Sequence, residues 1–218
     1  MKKIMILNPK GGCGKSTIST NLAGYFANWD IKVALADLDE QKSSLEWLRA
    51  RSSIYPRIHG ISAWTGEMSV PPDTEIIIMD TPAGMHHMKE LSDMIQVADV
   101  LLIPVLPSPI DIRAAAKFIH ELLLVHKVSR TKTKIGIVAN RVRLNTLAYK
   151  SLERFVNALQ IPFITGLRMS RNYLMAADKG LSIFDLPPKQ VEYDIEQWLP
   201  LVKWLSQDNV DEKIKKQN

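Results

Sequence analysis

The feature that most constrains this chain is a glycine-rich loop, Lys10-Gly11-Gly12-Cys13-Gly14-Lys15-Ser16-Thr17. It follows an apolar run over residues 4–7 and opens a helix-length segment over 16–28. Strand, loop and helix in that order are the context a phosphate-binding loop requires. Glycines let successive backbone N–H groups turn toward a phosphate. The helix N-terminus adds a favourable dipole and unpaired donors. In this reading Gly11 to Thr17 wrap a nucleotide's phosphates, the Lys15 ammonium meets the β- and γ-phosphates, and the Ser16 hydroxyl joins a Mg²⁺ shell. Pro9 stands where the general motif has its first glycine, and an additional lysine, Lys10, begins the loop. A glycine-rich turn without a ligand is the weak rival, since spacing and context both match.

Behind the loop the chain alternates short apolar runs with amphipathic segments. The runs cover 4–7, 33–38, 76–79, 100–105, 135–139 and 161–164. Continuous apolar runs read as strands covered on both faces. Helices are expected near 16–28, 42–51, 87–97, 110–126, 147–159, 171–178 and 191–206. In 110–126, Ile112, Ala115, Ala116, Ile119, Leu122 and Leu123 fall on one face. Such alternation predicts a doubly wound α/β fold, with a mostly parallel central sheet between two helical layers. No internal repeat interrupts it. One domain over 1–206 is expected, followed by a polar, frayed tail over 207–218.

With 218 residues, 46% hydrophobic and 23% charged, the composition is that of an ordinary globular chain. No apolar stretch approaches a membrane span, and the N-terminus reads as a strand rather than a secretory signal. The lone Cys13 excludes a disulfide framework and any centre built from several thiolates of one chain. A cytoplasmic address is the expectation. Charge is unevenly placed: residues 1–126 carry 12 basic against 14 acidic side chains, and 127–218 carry 16 against 9. Eleven of those basic residues lie in 127–179, against Glu153 and Asp178 alone. A polyanion-facing surface is one reading and a solvated basic surface the other.

The loop, with its signature lysine, resembles that of the deviant Walker-A ATPases of the ParA/MinD family, whose fingerprint is KGGxGK[ST]. Further motifs follow in order. Asp37-Leu38-Asp39-Glu40-Gln41-Lys42-Ser43-Ser44 is similar to the family's D-x-D-P-Q-x-S, with Glu40 for proline. Residues 76–84, IIIMDTPAG, look like the Walker-B strand and switch II. Pro104-Val105 with Pro107-Ser108-Pro109 resembles the PVxPSP stretch of small, ParF-like ParA proteins. The resemblance implies ATP and Mg²⁺ as cofactors, with Asp80 holding the metal through water and Asp37 supporting its shell. Asp39 would position the attacking water. Lys10 would cross a dimer interface to the partner's nucleotide, a lysine counterpart of an arginine finger. Asn140 resembles an adenine-contacting asparagine, with a plain turn residue as the rival.

Within the family, the absence of further cysteines excludes the iron–sulfur branches. The final twelve residues offer only Val210 and Ile214 as large apolar residues, too few for a MinD-type amphipathic anchor. With the first strand near residue 2, no operator-reading helix-turn-helix is expected. The resemblance therefore implies a nucleoid-associated ATPase. It would dimerise on ATP, bind DNA without sequence preference, and position a cargo with a partner that stimulates weak hydrolysis. Cargo would be a plasmid, a chromosomal region or a protein assembly such as a microcompartment; no membrane is expected. Two rivals remain: a MinD-like membrane-surface ATPase, and a metabolic synthetase of the dethiobiotin-synthetase kind. For DNA, Arg141, Arg143, Lys150, Arg154, Arg168 and Arg171 are the candidates, because strand ends of a doubly wound sheet share one rim. His86 and His87, adjacent after switch II, read as surface or interface residues rather than a metal pair.

Overall fold

A computed structural model describes residues 1–84, 89–129, 131–143 and 146–206. The expected alternation is present. The strands are β1 (Lys2–Ile6), β2 (Val33–Asp37), β3 (His59–Ser62), β4 (Ile76–Asp80), β5 (Val100–Val105), β6 (Lys134–Val142) and β7 (Phe163–Arg168). The helices are α1 (Lys15–Asn28), α2 (Ser43–Ala50), α3 (Lys89–Val97), α4 (Pro109–Leu124), α5 (Leu147–Leu159), α6 (Arg171–Ala177) and α7 (Pro188–Ser206), with a 3₁₀ turn at Ile183–Asp185 before α7.

The strands form one sheet in the order β3-β2-β4-β1-β5-β6-β7, and every neighbouring pair is parallel. The sheet is therefore wholly, not just mostly, parallel. Its alternate residues enter two separate cores. Ile4, Ile6, Leu35, Ile78 and Leu102 pack with α1, α2 and α7 through Leu22, Phe26, Trp47, Trp198 and Leu201. Met5, Ala34, Ile77, Leu101 and Ile103 pack with α3, α4 and α5 through Ile95, Phe118, Ile119, Leu122 and Val156. This explains the unbroken apolar runs, since β2, β4 and β5 are buried along their whole length.

Two elements depart from expectation. β3 is an edge strand of four residues, His-Gly-Ile-Ser, and only Ile61 is buried in it. It carries no apolar run to read. β7 lies at 163–168 rather than 161–164, so Arg168 ends the strand instead of following it. β1 sits between β4 and β5. The chain moves outward on one side of β1 through β2 and β3, then on the other through β5, β6 and β7. That reversal puts the loop after β1 at the topological switch point, where ligands of open α/β sheets bind. The expected tail, 207–218, and the His86-His87 pair lie outside the described residues.

Candidate functional site

The loop between β1 and α1 bends through two left-handed glycines, Gly12 (φ 75) and Gly14 (φ 98). Gly14 is required twice over. Its φ disfavours any side chain, and a Cβ there would lie 2.0 Å from the Asn140 side-chain nitrogen. The loop is braced from several sides. Asn140 Nδ2 donates to the Cys13 carbonyl at 2.8 Å, and Asn140 Oδ1 accepts from the Arg141 amide at 2.9 Å. Asn8 Oδ1 accepts from the Lys10 amide, and Asn8 Nδ2 donates to the Pro104 carbonyl. Cys13 is buried, its Sγ donates to the Lys10 carbonyl, and burial pushes its thiol pKa up. That favours the unreactive thiol, in keeping with a filler.

Lys15 opens α1 and is buried. Its ammonium donates to the carbonyls of Asn8 (3.0 Å) and Lys10 (3.2 Å). A buried cation held by two neutral loop oxygens is suited to exchange them for phosphate oxygens. Ser16 is half-buried beside it, and Thr17 follows in the first turn.

Two carboxylates end neighbouring strands in register, Asp37 on β2 and Asp80 on β4. Their roles differ. Asp80 is buried and accepts from the Ser19 hydroxyl at 3.2 Å. Burial, and next the Asp37 charge, push its pKa up to about 7 against the pull of the Ser16, Ser19 and Ser44 hydroxyls. A desolvated carboxylate next to the Ser16 hydroxyl is a hard-oxygen pair of the kind Mg²⁺ takes. Among the described residues no three His, Cys, Asp or Glu side chains form a metal cluster. An ion here would thus lean on Ser16, Asp80 and the nucleotide's own oxygens.

Asp37, the candidate support of the metal shell, stands in register with Asp80 and is itself bonded to the turn that follows it. Oδ2 accepts from the Ser44 amide (3.0 Å), the Ser44 hydroxyl (2.7 Å) and the Leu45 amide (3.1 Å), and Oδ1 accepts from the Asp39 amide (3.0 Å). Asp37 is the buried anion that caps α2 and shapes the turn carrying Asp39. Asp39 itself is half-buried, its Oδ1 accepting from the Gln41 amide at 3.0 Å.

Among the described residues, Lys10 bonds no carbonyl of the loop through its ammonium and pairs with a carboxylate outside it. Its ammonium lies 3.5 Å from Asp111 Oδ1, at the start of α4. Asp111 was not anticipated, although Pro107-Ser108-Pro109 two residues before it was. Ser108 caps α4 by accepting from the Asp111 amide, and the Ser108 hydroxyl also bonds the Asp111 carboxylate.

The basic candidates divide. Arg141, at a left-handed φ of 51, Arg143, Lys150, Arg154 and Arg171 are exposed. Lys150 and Arg154 line an open groove of about 630 Å³ with Leu147, Glu153, Asn157 and Phe163. Arg168, also a candidate, is partly exposed and is paired with a buried carboxylate. Its Nε donates to Asp194 Oδ1 at 2.6 Å, and Asp194 is fully buried in α7. Burial opposes ionisation of Asp194, but Arg168, Asn172 and Ser170 more than reverse this and hold its carboxyl below the usual range. Asp194 also went unanticipated, because it lies 26 residues from Arg168 in sequence.

A nucleotide-binding loop at the switch point, a lysine at each end of it and a buried strand-end aspartate define a P-loop protein of the signature-lysine class. The model of the CobQ/CobB/MinD/ParA nucleotide-binding domain matches residues 4–183, and the chain belongs to that family. It is 28% identical over 192 residues to maintenance of carboxysome distribution protein A of Halothiobacillus neapolitanus, covering 84% of this chain and 87% of that protein. Among solved structures, Cyanothece apo McdA superposes with a TM-score of 0.70 at 17% identity, over 90% of this chain and 97% of that one. The MinD cell division protein of Aquifex aeolicus gives 0.71 at 18%, over 96% and 98%. At such identities the structural likeness bears on the fold. No helix of the described residues is long and apolar enough to cross a membrane.

Proposed function

We propose that this chain is a ParA-type ATPase. It binds ATP with Mg²⁺, dimerises across two nucleotides, holds DNA without sequence preference, and positions a cargo. The observation that carries the reading is the second lysine of the loop. Lys15 bonds carbonyls of its own loop, whereas the Lys10 ammonium, partly exposed, pairs with the Asp111 carboxylate at the start of α4. A partly exposed lysine at the start of a phosphate loop, held by a carboxylate rather than by the loop's own carbonyls, is available to a second subunit's nucleotide. Lys15 and Ser16 then hold phosphate and metal, with Asp80 behind the metal's water. Asp39 orients the attacking water, Lys10 of one subunit stabilises charge on the other's phosphates, and a cargo-associated partner raises a weak basal rate. Asn140 braces the loop and borders the nucleotide.

The uneven charge supports DNA as the polyanion, with Arg141, Arg143, Lys150, Arg154 and Arg171 presented to solvent. Arg168, partly exposed, is bonded to Asp194 through Nε and stands beside that surface. Among cargoes, the likeness to proteins named for carboxysome distribution favours a carboxysome-like assembly. Cosedimentation with ATP tests the reading. Pelleting with random-sequence duplex and not with anionic vesicles is expected. Pelleting with vesicles alone favours a membrane-surface ATPase, and pelleting with neither favours a metabolic synthetase.

A further inference from the structure

The turn that carries Asp39 is anchored differently at its two ends. At its start the Leu38 amide donates to the Asp80 carbonyl at 2.9 Å, and the Asp39 amide to buried Asp37. Both anchors lie inside the sheet. At its end stands Lys42, at φ 54 and ψ 34, immediately before α2. A side chain disfavours that left-handed backbone; the Lys42 amide on the Asp39 carbonyl and the Glu46 amide on the Lys42 carbonyl hold its main chain, and the side chain adds a further contact. Its own side chain makes no capping bond to α2. Its ammonium instead lies over the indole of Trp64, 5.6 Å from the ring centre, within the range of a cation–π contact.

Trp64 is placed there by the same strands. The Ala63 amide donates to the Asp37 carbonyl at 2.8 Å, which fixes the chain leaving β3 against the end of β2. The Gly66 amide then donates to the Ala63 carbonyl, and Gly66 at φ 89 completes a tight turn with Trp64 in it. Trp64 is 40% exposed, more than its burial in a core would allow. The indole and the ammonium thus close a ring of structure: Asp37 to Lys42 along the turn, and Asp37 to Trp64 across the sheet edge.

We propose that Trp64 is a positioning residue for Asp39, holding the Lys42 end of the turn by cation–π stacking. Asp39 keeps its orientation only while the Gln41 amide reaches its Oδ1 and the Lys42 amide reaches its carbonyl. Both bonds depend on where Lys42 sits. The inference rests on the hydrolytic role given to Asp39 above, and two measurements separate the fate of each.

The first is amide hydrogen exchange of the whole chain. Trp64→Leu and Lys42→Met speed exchange of the Gln41 and Lys42 amides by about threefold. The Leu38 and Ser44 amides, held by Asp80 and Asp37, keep their rates. Trp64→Phe and Lys42→Arg, which preserve ring and charge, stay near the parent. The second is steady-state ATP hydrolysis. Trp64→Leu and Lys42→Met each lower the turnover number by about threefold with KM for ATP unchanged, and the double variant falls no further. Unchanged exchange at Gln41 and Lys42 in Trp64→Leu overturns the proposal whatever the activity. So does a double variant whose losses multiply. If exchange rises as expected while Asp39→Ala hydrolyses ATP like the parent, the stack does hold the turn and the hydrolytic role of Asp39 falls.

Discussion

The two halves of the sheet's carboxyl rim treat charge in opposite ways. Around β1, β2 and β4 the charged groups Lys15, Asp37 and Asp80 are buried, and each is hydrogen-bonded within the fold. Around β6 and β7 the basic groups Arg141, Arg143, Lys150, Arg154 and Arg171 are exposed, and partly exposed Arg168 is paired with buried Asp194. A buried charge has its geometry set by the protein, so a ligand must replace partners already present. An exposed charge has only its density set, so a polyanion meets it through counterion release rather than fit. The first half therefore acts through single residues and the second through their number.

The sharpest break of that contrast is at Lys15. Lys15→Ala removes the only buried cation of the loop and should weaken ATP binding by at least about 100-fold, from the loss of charge-assisted bonds to phosphate. Isothermal titration with ATP and Mg²⁺ measures it. On the basic side no single change has such an effect. Lys150→Ala with Arg154→Ala should lower the log–log salt slope for random duplex by roughly 4 in a dimer, at about 0.9 per lost phosphate contact, with ATP affinity intact. Arg168→Ala should behave as a residue of the first kind. It leaves Asp194 buried without its cation and should cost roughly 2 kcal/mol or more of stability, read by urea unfolding, with little change in salt slope once the protein is folded.

Asp80 sharpens the contrast through pH. Its pKa in the folded chain is about 7, against about 3.9 for an unfolded aspartate. Between these values the folded, nucleotide-free protein holds more protons than the unfolded chain, so this group's contribution falls as pH rises from about 4 to about 7 and is level above. Asp80→Asn removes that loss. The variant should melt like the parent near pH 4 and roughly 10 °C higher at pH 8 without nucleotide. Calorimetry at the two pH values checks it, and equal melting at both contradicts the burial of a strained charge. The smallest effect is at Cys13. Cys13→Ser keeps the size and the donor to the Lys10 carbonyl, and titration should find ATP affinity within about twofold of the parent.

Much of this was legible in the sequence because it rests on local pattern. The runs that became β2, β4 and β5 show unbroken apolar character since both faces of each strand are covered, and Lys10 to Thr17 announce their loop by spacing alone. What was hidden depends on contacts between distant segments. β3 has one buried residue and shows no run. The motif points to Asp37 as a support of the metal shell; that it also caps α2 depends on where Ser44 and Leu45 fold back. Arg168 reads from the sequence as a basic residue at a strand end; that buried Asp194 lies beneath it does not. The Lys42–Trp64 stack joins segments 22 residues apart, and neither residue carries a signal of its own.

The central claim is that ATP joins two copies of this chain through Lys10, the lysine that begins the loop. Light scattering of Asp39→Ala with ATP and Mg²⁺ tests it most directly, alongside Lys10→Ala under the same conditions. Asp39→Ala should trap a species of twice the 24.6 kDa chain mass and return to one chain mass when ATP is withdrawn, while Lys10→Ala binds ATP and stays at one chain mass. If both variants have the same mass with and without ATP, or if Lys10→Ala dimerises as readily as Asp39→Ala, the trans role of Lys10 is wrong for this protein.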